Sequence, residues 1–516
     1  MASEHHGATY IDTLVDTLAR GGTGTVLEYA GREIGAAELL GSVHRYARAL
    51  TGLGVGHGSM VALFAPNSPD ALAIRYAANL IGAGAVFLSV PPLPQRRAEM
   101  IAQADPQLLV VFPETAHLVP DGVTAPLAAV GEGVPGVRLD LLAAAEPADP
   151  VPGRARPSDL AVIISSGGTT GVPKGSWRDF AAYTAMVAVP SPPDRRQLAN
   201  GKLAYLTQVL VDTTLMGGGT VVLQDHFDAA QTLETIQARR ITDLFLVEPQ
   251  LFELMDHPDV PTTDLTSLRA LTHIGASAPA TLRLRARARL GPVLAHTYGA
   301  SEMGIVSALT PAEHDLRNLE LFTCAGRIRP GVDVAFRRAD GSAAAAGEPA
   351  SIEVRSPAMA GGYRNRPQLQ AEHFVDGWYR TGDLGYVDDD ADLHIVGRVS
   401  DVTWVDGELI SPTLLQDTLC RRPEVRYAVV VVDADTGSWV AAVVPWPGAV
   451  VDAAGCHASI AAEHSPDAAA PLVVVPLERI PLTEQGKPDR PAIRLLGREA
   501  VTRLPDGGAA TLQEQP

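Results

Sequence analysis

Apolar residues recur along the first part of the chain in two alternating patterns. Residues 36–53 and 71–81 place them three or four positions apart, which is the spacing of one helix face. Residues 60–65 and 86–90 are short, largely apolar runs that each end at a proline, as buried strands do. Helices that alternate with buried strands predict parallel sheets joined by crossover helices.

The same alternation returns between residues 219 and 299. Residues 220–223, 244–247 and 271–274 are apolar runs of strand length, and residues 233–240 have helical spacing. The sequence therefore predicts a second unit built on a parallel sheet.

The pattern changes after about residue 325. Residues 325–400 contain short strands and turns, which predict a small β barrel or sheet, and residues 401–497 predict a compact α+β unit. The expected fold is α/β, with a small mobile C-terminal domain. The expected divisions are an N-terminal domain of two parallel-sheet α/β subdomains plus a small β barrel over 1–398, a hinge at 399–400, a C-terminal lid at 401–500 and a flexible tail at 501–516.

Composition narrows the classes of partner. The chain has 41 Lys and Arg against 59 Asp and Glu, a formal net charge of −18, which argues against a general nucleic-acid or anionic-membrane surface. No apolar run reaches the length of a membrane span, and the first residues lack a signal-peptide pattern. Cys324, Cys420 and Cys456 are scattered and lack metal-ligand spacing. The sequence predicts a cytoplasmic protein that binds anionic ligands through local positive charges.

A loop rich in glycine and hydroxyl groups follows the apolar run at residues 160–164. Residues 165–175 contain four glycines, four serines or threonines, and one lysine. Glycines let backbone N–H groups approach an anion closely, hydroxyls add donors, and a lysine adds positive charge. A loop of this composition at the end of a strand indicates a site for nucleotide phosphates.

This loop resembles the phosphate loop of the adenylate-forming superfamily, which comprises acyl-CoA synthetases, adenylation domains of nonribosomal peptide synthetases, and luciferases. It differs from the family pattern by one extra glycine. Further family motifs follow in the family's order: Tyr298-Gly299-Ala300-Ser301-Glu302, Tyr379-Arg380-Thr381-Gly382-Asp383, Gly397-Arg398-Val399-Ser400-Asp401 and Pro481-Leu482-Thr483-Glu484-Gln485-Gly486-Lys487. The similarity extends from about residue 25 to about residue 495 and is nearest to AMP-dependent acyl-CoA ligases.

The resemblance implies an ATP-dependent enzyme that activates a carboxylic acid as acyl-AMP, releases pyrophosphate and transfers the acyl group to an acceptor. It implies ATP and Mg²⁺ as cofactors, with CoA as a further candidate. The implied nucleotide-binding residues are Ser166, Gly168, Thr169, Thr170, Gly171 and Lys174 in the phosphate loop, Gly275, Ala276, Ser277, Tyr298, Gly299 and Ala300 around the adenine, and Asp383, Ile395 and Arg398 further along the chain.

The resemblance also assigns three residues to the reaction and a fourth, Asp383, to binding of the ribose. Glu302 would bind Mg²⁺, for which a carboxylate is a suitable hard ligand. Ser301 stands where the family has threonine, and its hydroxyl would reach the α-phosphate. Lys487 would approach the α-phosphate and the reacting carboxylate when the C-terminal domain closes over the site. Asp383 would accept hydrogen bonds from the ribose hydroxyls, since a carboxylate offers two acceptor oxygens.

The pocket for the acid is less defined by the sequence. Tyr205 and Gln208 belong to a segment expected to form the pocket wall. His273 and His296 lie near the family motifs, where each either borders the pocket or is a core histidine with its hydrogen bonds satisfied.

Three positions depart from the CoA ligase pattern. Ser400 stands where many members carry the hinge aspartate, and Trp404 where many carry a lysine. Residues 465–471 lack the lysine that CoA ligases usually have there, although Gly407 is kept. These changes fall in parts that serve thioester formation, so two hypotheses for the acceptor stay open.

The first hypothesis is a ligase that transfers the acyl group to CoA. The second is an adenylating ligase with a non-thiol acceptor, such as a diazotase that activates nitrite for an aryl amine. The expected partners are therefore a small-molecule acid and a CoA, amine or carrier-protein acceptor. A nucleotide-binding regulatory relic is a third interpretation, against which the joint presence of Glu302, Asp383 and Lys487 argues.

Overall fold

A computed structural model of the chain describes residues 8–166, 174–189, 191–274 and 279–502. Across these ranges, no helix combines the length and the apolar character needed to cross a membrane.

Helices and strands alternate over most of the described chain. The helices are α1 Tyr10–Gly21, α2 Ala36–Gly52, α3 Pro69–Leu80, α4 Pro94–Ala104, α5 Leu139–Ala145, α6 Phe180–Val187, α7 Thr207–Met216, α8 Ala229–Arg239, α9 Glu248–Met255, α10 Ala280–Leu290, α11 Pro367–His373, α12 Pro412–Cys420, α13 Ala453–Glu463, α14 Pro466–Ala469 and α15 Arg490–Thr502. The strands are β1 Thr25–Tyr29, β2 Arg32–Gly35, β3 Met60–Phe64, β4 Gly84–Phe87, β5 Leu108–Val111, β6 Leu127–Ala129, β7 Val137–Arg138, β8 Leu160–Ser166, β9 Lys174–Asp179, β10 Arg196–Ala199, β11 Thr220–Leu223, β12 Asp243–Leu246, β13 Ala270–Ile274, β14 Leu294–Ala300, β15 Gly304–Leu309, β16 Arg327–Ile328, β17 Asp333–Arg337, β18 Ala350–Arg355, β19 Gly362–Tyr363, β20 Phe374–Val375, β21 Trp378–Val387, β22 Leu393–Arg398, β23 Thr403–Val405, β24 Glu408–Ile410, β25 Val425–Asp433, β26 Ser438–Pro445 and β27 Leu472–Pro476.

The first sheet has the strand order β19-β9-β8-β4-β3-β5-β6-β7 in the described part of the chain. Its strands from β8 to β7 pair in parallel, while β9 returns antiparallel beside β8. Every residue of β3, β4 and β5 is buried, which is why these strands are continuous apolar runs in the sequence. The parallel-sheet unit expected for the first part of the chain is confirmed.

The second sheet, over the same described residues, has the order β16-β15-β14-β13-β12-β10-β11-β1-β2. Strands β11, β10, β12, β13 and β14 pair in parallel, as expected for residues 219–299. The hairpin β1–β2 joins this sheet beside β11, although it precedes the first sheet in the chain. No local sequence pattern predicts strand pairing between segments so distant in the chain.

Two smaller sheets complete the fold. Strands β17, β18, β21, β20 and β22 form an antiparallel sheet where the sequence predicts a small β barrel. After residue 400, the hairpin β23–β24 is followed by the sheet β25-β26-β27, against which α15 packs. The expected α/β class, with parallel-sheet subdomains and a half-barrel sheet, is thus confirmed.

The part of the chain after residue 400 packs against helices of the second sheet. The rings of Phe252 and Tyr427 lie 3.8 Å apart between centroids, and the Thr281 N–H donates to the Asp417 carboxylate at 2.8 Å. Arg426 Nε lies 3.3 Å from the Asp256 carboxylate. Apolar residues of α9, α10, α12 and β25 belong to one continuous core. This packing brings the loop that follows β27 against the two large sheets.

Candidate active site

A cavity of about 180 Å³ lies between the two large sheets and the loop that follows β27. Its wall is largely apolar, with Met186, Phe227, Phe245, Val247, Ile274 and Ile305. Backbone and polar groups of the second sheet and the C-terminal loop also line it, namely Gly299, Ala300, Ser301, Glu484, Gln485 and Lys487. A largely apolar cavity with a few polar groups suits a ligand with an apolar body and one polar group.

The reverse turn between β14 and β15 positions Ser301 and Glu302. A side chain at Gly299 would lie 2.4 Å from the Gly304 carbonyl, so the two strands approach closely only because residue 299 is glycine. Glu302 is buried, with 5% of its surface exposed. The hydroxyls of Ser301 and Tyr363 donate to its carboxylate at 2.8 and 2.9 Å. The turn therefore holds a carboxylate and a hydroxyl side by side next to the cavity.

Asp383 and Arg398 are register partners on the antiparallel strands β21 and β22. Arg398 Nε lies 3.2 Å from the Asp383 carboxylate, and the Tyr298 hydroxyl donates to the same carboxylate at 2.6 Å. Burial raises the pKa of Asp383, and Arg398 opposes that shift. Tyr298 and Ile395 pack against the same apolar cluster below these groups. The structure thus brings together four residues that are separate in the sequence.

Lys487 lies on a tight hairpin formed by residues 481–489. The Thr483 N–H donates to the Lys487 carbonyl at 2.8 Å, and the Gly486 N–H donates to the Thr483 carbonyl at 2.9 Å. Gly486 has a φ of +75°, and a Cβ there would lie 2.9 Å from the Gln250 amide nitrogen. Only glycine fits this turn without strain.

Both cations and carboxylates lie near Lys487. Burial lowers the pKa of Lys487, the neighbouring Arg398 and Arg490 lower it further, and Glu302 opposes the shift. Arg398 is paired with Asp383 and Arg490 with Asp401, whereas Lys487 forms no ion pair within the described residues. A partly buried cation without a close carboxylate favours an anionic ligand.

The phosphate loop is described only at its two ends. Ser166 is the last residue of β8 and Lys174 is the first of β9, and these two residues pair across the antiparallel ladder. Lys174 Nζ lies 5.4 Å from the centroid of the Tyr363 ring, and Tyr363 binds Glu302. The other predicted positions of the two glycine-rich segments lie outside the described residues, namely Gly168, Thr169, Thr170, Gly171, Gly275, Ala276 and Ser277.

The structure separates the expected pocket residues. Tyr205 lines the cavity, whereas Gln208, His273 and His296 are not among its lining residues. His273 Nδ1 lies 2.9 Å from His296 Nδ1, and both rings are buried. Side chains alternate along β13, so His273 faces away from the cavity that Ile274 lines. Burial lowers the pKa of His273 to about 3 and that of His296 well below its usual range. Both histidines therefore lie in the core, although Nε2 of His273 has no hydrogen-bond partner among the described residues.

Several lining residues escaped the sequence analysis. Asn200, Asp225 and His226 lie in loops after β10 and β11, where the ends of parallel strands open onto the cavity. These residues could have been found from the sequence because their loops directly follow strands. Ser176 was also missed; its hydroxyl lies 3.0 Å from the Ser301 carbonyl and so links β9 to the β14–β15 turn.

The expected hinge residue also lies next to charged groups. The Ser400 hydroxyl donates to Asp401 at 2.8 Å, and Asp401 pairs with Arg490. Arg490 begins α15 shortly after Lys487. The Asp401–Arg490 ion pair therefore connects the segment at residue 400 to the residue that directly follows the lysine hairpin.

The fold and this site together define the class of adenylate-forming enzymes. A family model described as AMP-binding enzyme matches residues 16–364, and the chain belongs to this family. The chain is 31% identical to the medium/long-chain-fatty-acid–CoA ligase FadD8 of Mycobacterium tuberculosis, over 93% of this chain and 89% of the relative. It is 30% identical to the indoleacetate–CoA ligase of Aromatoleum aromaticum, over 92% and 95% of the two chains.

A solved structure extends the comparison beyond thiol acceptors. The amide bond synthetase McbA from Marinactinospora thermotolerans superimposes with a TM-score of 0.82 at 32% identity, over 94% of this chain and 99% of that chain. The protein is thus an ATP-dependent, AMP-forming ligase that resembles CoA ligases. The family assignment and the enzyme class expected from the motifs are confirmed.

Proposed function

We propose that the protein adenylates a compact, largely apolar carboxylic acid and transfers the acyl group to CoA. The acid would lie in the 180 Å³ cavity with its carboxylate at the end that holds Ser301 and Lys487. A cavity of about 150 Å³ accommodates benzene, so this one suits a small aryl or short branched acid better than a long fatty chain. The observation that carries the proposal is the position of Lys487, which lines this cavity together with Ser301 and forms no ion pair within the described residues.

In the proposed reaction, a carboxylate oxygen attacks the α-phosphorus of ATP and the bond to the β-phosphate oxygen breaks. Pyrophosphate leaves with that bonding pair, and acyl-AMP remains. Lys487 would stabilise the charge on the carboxylate and the α-phosphate, and the Ser301 hydroxyl would donate to the α-phosphate. Lys174 and the loop that begins at Ser166 would hold the outer phosphates.

The nucleoside would lie beside the third sheet. Asp383 would accept hydrogen bonds from the ribose hydroxyls, Arg398 would add a donor, and Tyr298 would stack on the adenine. Asp383 already binds Tyr298 and Arg398, so these three side chains have a fixed arrangement before the nucleotide binds.

The proposed Mg²⁺ ligand is Glu302. Mg²⁺ prefers hard oxygen ligands and keeps several waters, so one carboxylate together with substrate phosphates suffices. Within the described residues, no group of three or more His, Cys, Asp or Glu side chains is placed to hold a metal. The donor set therefore fits a metal that arrives with the nucleotide, where it would neutralise phosphate charge.

A second candidate acceptor is an amine. The 32% identity to an amide bond synthetase over 94% of this chain favours it, as do the changes at Ser400, Trp404 and residues 465–471. In that reaction the amine nitrogen attacks the acyl carbon, AMP leaves, and the amine loses a proton. Trp404 is 68% exposed on the β23–β24 hairpin, where the usual lysine would be.

The test is a pyrophosphate-release screen with ATP and Mg²⁺. The panel contains one- and two-ring aryl acids, short branched acids, long fatty acids, and nitrite with an aryl amine. Small aryl or branched acids are expected to give the fastest release. Release with none of these compounds would contradict the adenylation proposal, and a preference for long fatty acids would contradict the assignment of the acid.

The acceptor is tested with the acid that turns over fastest. Acyl-CoA formation at the rate of pyrophosphate release would support CoA. Acyl-AMP that accumulates with CoA but is consumed by an amine would refute CoA in favour of the second candidate.

A further inference from the structure

Glu484 lies three residues before Lys487 on the same hairpin, and both residues line the cavity. One of its carboxylate oxygens, Oε2, accepts a hydrogen bond from the Val90 N–H at 2.6 Å. The Tyr205 hydroxyl donates to the same oxygen at 3.3 Å. These contacts join a residue near the C-terminus to positions 394 and 279 residues earlier in the chain.

The two donors belong to different sheets. Val90 follows β4 of the first sheet, and Tyr205 follows β10 of the second. Glu484 therefore connects the lysine hairpin to both sheets at the boundary where the cavity lies. Tyr205 also lines the cavity, so the connection forms part of its wall.

The hairpin transmits this connection to Lys487. Hydrogen bonds from Thr483 to Lys487 and from Gly486 to Thr483 fix the backbone of the turn between Glu484 and Lys487. Gly486 packs against Gln250, which limits how far the turn can shift towards α9. Holding Glu484 thus fixes the direction from which Lys487 enters the cavity.

Lys487 has no ion pair of its own within the described residues that would hold it in place. Arg398 and Arg490 both disfavour a positive charge at Lys487, although each is paired with a carboxylate, and Glu302 opposes them. A contact elsewhere on the hairpin can therefore fix the position of Lys487.

We propose that Glu484 is a positioning residue that holds the lysine hairpin across both sheets and so places Lys487 for adenylation. The proposal rests on the proposed function, because it requires that Lys487 acts in acyl-AMP formation. Glu484 acts through backbone geometry and is not assigned a contact with the reacting atoms. It is needed for acyl-AMP formation and not for the consumption of acyl-AMP.

The test compares Glu484→Ala, Glu484→Gln and Lys487→Ala in the full chain, using an acid that the wild type turns over. Glu484→Ala is expected to lower kcat for pyrophosphate release about tenfold, the scale of a lost charge-assisted hydrogen bond. Glu484→Gln keeps an acceptor oxygen for Val90 and Tyr205 and is expected to recover most of that loss. Glu478→Ala, which changes an exposed carboxylate on the segment before the hairpin, is the matched control and is expected to retain wild-type rates.

A partial reaction separates positioning from general damage. Synthetic acyl-AMP is mixed with each variant and the acceptor, and the rate of adenylate consumption is measured. Glu484→Ala is expected to match the wild type here. Equal losses in both reactions would overturn the proposal, as would wild-type pyrophosphate release by Glu484→Ala.

Two further outcomes distinguish this proposal from the proposed function. A Lys487→Ala variant with wild-type adenylation would refute the role of Lys487 itself. Loss of adenylation in Lys487→Ala with no change in Glu484→Ala would refute only the role of Glu484.

A double-mutant cycle that combines Glu484→Ala with Tyr205→Phe tests the contact between these two residues. It supports the proposal if the two losses are clearly less than additive, and counts against it if they add.

Discussion

Two clusters of charged residues in this protein differ in whether every cation has a close counter-ion. In the first, Asp212 on α7 accepts hydrogen bonds from Arg75 at 2.7 Å, Tyr76 at 2.6 Å and Tyr183 at 2.5 Å. Arg75 and Asp212 are 1% and 0% exposed, and the guanidinium also lies over the rings of Tyr10, Tyr76 and Tyr183. This cluster has opposite charges in contact and is closed to ligands.

The second cluster surrounds the end of the cavity that contains Lys487. Arg398 is paired with Asp383 and Arg490 with Asp401, whereas Lys487 forms no ion pair within the described residues, and burial lowers its pKa. The comparison teaches that a buried charge is structural where the chain supplies a counter-ion in direct contact, and is a candidate for ligand binding where it does not.

The largest effect on stability is expected at Asp212. Asp212→Ala leaves the buried Arg75 guanidinium without its counter-ion and should lower the free energy of unfolding by about 3–5 kcal/mol. Denaturant titration measures this loss. Asp333→Ala, which removes one side of the exposed ion pair with Arg355, is the matched control and should change stability far less. Equal losses of unfolding free energy in the two variants would show that the buried ion pair is no more important for stability than the exposed one.

At the second cluster, the largest effect is expected on catalysis. Lys487→Ala should reduce acyl-AMP formation by about 10²-fold or more, the scale of a lost electrostatic donor at a transition state. AMP affinity, measured by calorimetry, should persist, and the stability should change little. Arg479→Ala, an exposed cation in the segment before the hairpin, is the control. Wild-type pyrophosphate exchange by Lys487→Ala would contradict the catalytic assignment.

Asp383 tests whether a paired carboxylate can also serve a ligand. Asp383→Ala should weaken AMP binding, since each lost hydrogen bond to a charged acceptor is worth about 1.5–3 kcal/mol at most. Asp383→Asn keeps one acceptor oxygen and should lie between the wild type and the alanine variant in calorimetry. Unchanged affinity in Asp383→Ala would make Asp383 a structural partner of Tyr298 and Arg398 only.

The last effect is seen only as a dependence on pH, and concerns a carboxylate at the start of α9 that is buried against the part of the chain after residue 400. Glu248 accepts a hydrogen bond from Gln416, and burial raises its pKa to about 7. Between pH values of about 4.3 and about 7, the folded protein keeps a proton that the unfolded chain has lost, so this residue's contribution to stability falls as pH rises, by about 1.4 kcal/mol per unit.

Replacing Glu248 removes this pH dependence. Glu248→Gln should therefore gain stability relative to the wild type as pH increases from 5 to 7, with little further gain above pH 8. Denaturant titrations across this range measure the difference, with the exposed Glu372→Gln as the control. Parallel pH profiles of wild type and Glu248→Gln would show that the carboxylate is not buried in solution.

Local patterns predict the parts of the fold that depend on neighbouring residues. Strand β3 lies at residues 60–64 because a run of apolar side chains ends at Pro66, and α3 begins at Pro69 with Ser68 as its N-cap. The motif around Ser301 and Glu302 is similarly local, because the turn between β14 and β15 requires Gly299. Each of these features uses residues close in sequence.

Long-range contacts account for what the sequence analysis missed. Gln208, His273 and His296 have the chemistry of pocket residues, yet strand alternation and helix packing turn them away from the cavity. Conversely, the hydrogen bonds of Glu484 depend on loops from both sheets. Nothing near Glu484 in the sequence indicates that Val90 and Tyr205 are its partners.

The sequence by itself determined the α/β class, the positions of several main strands along the chain, the family, and the residues proposed for the reaction, because periodicity and motifs are local properties of the chain. Only the tertiary structure decided which charges oppose one another. Asp212 is satisfied by residues from two other helices, whereas Lys487 lies among cations contributed by β22 and α15. Electrostatic interactions depend on distance in space, and that distance is set by how the sheets pack.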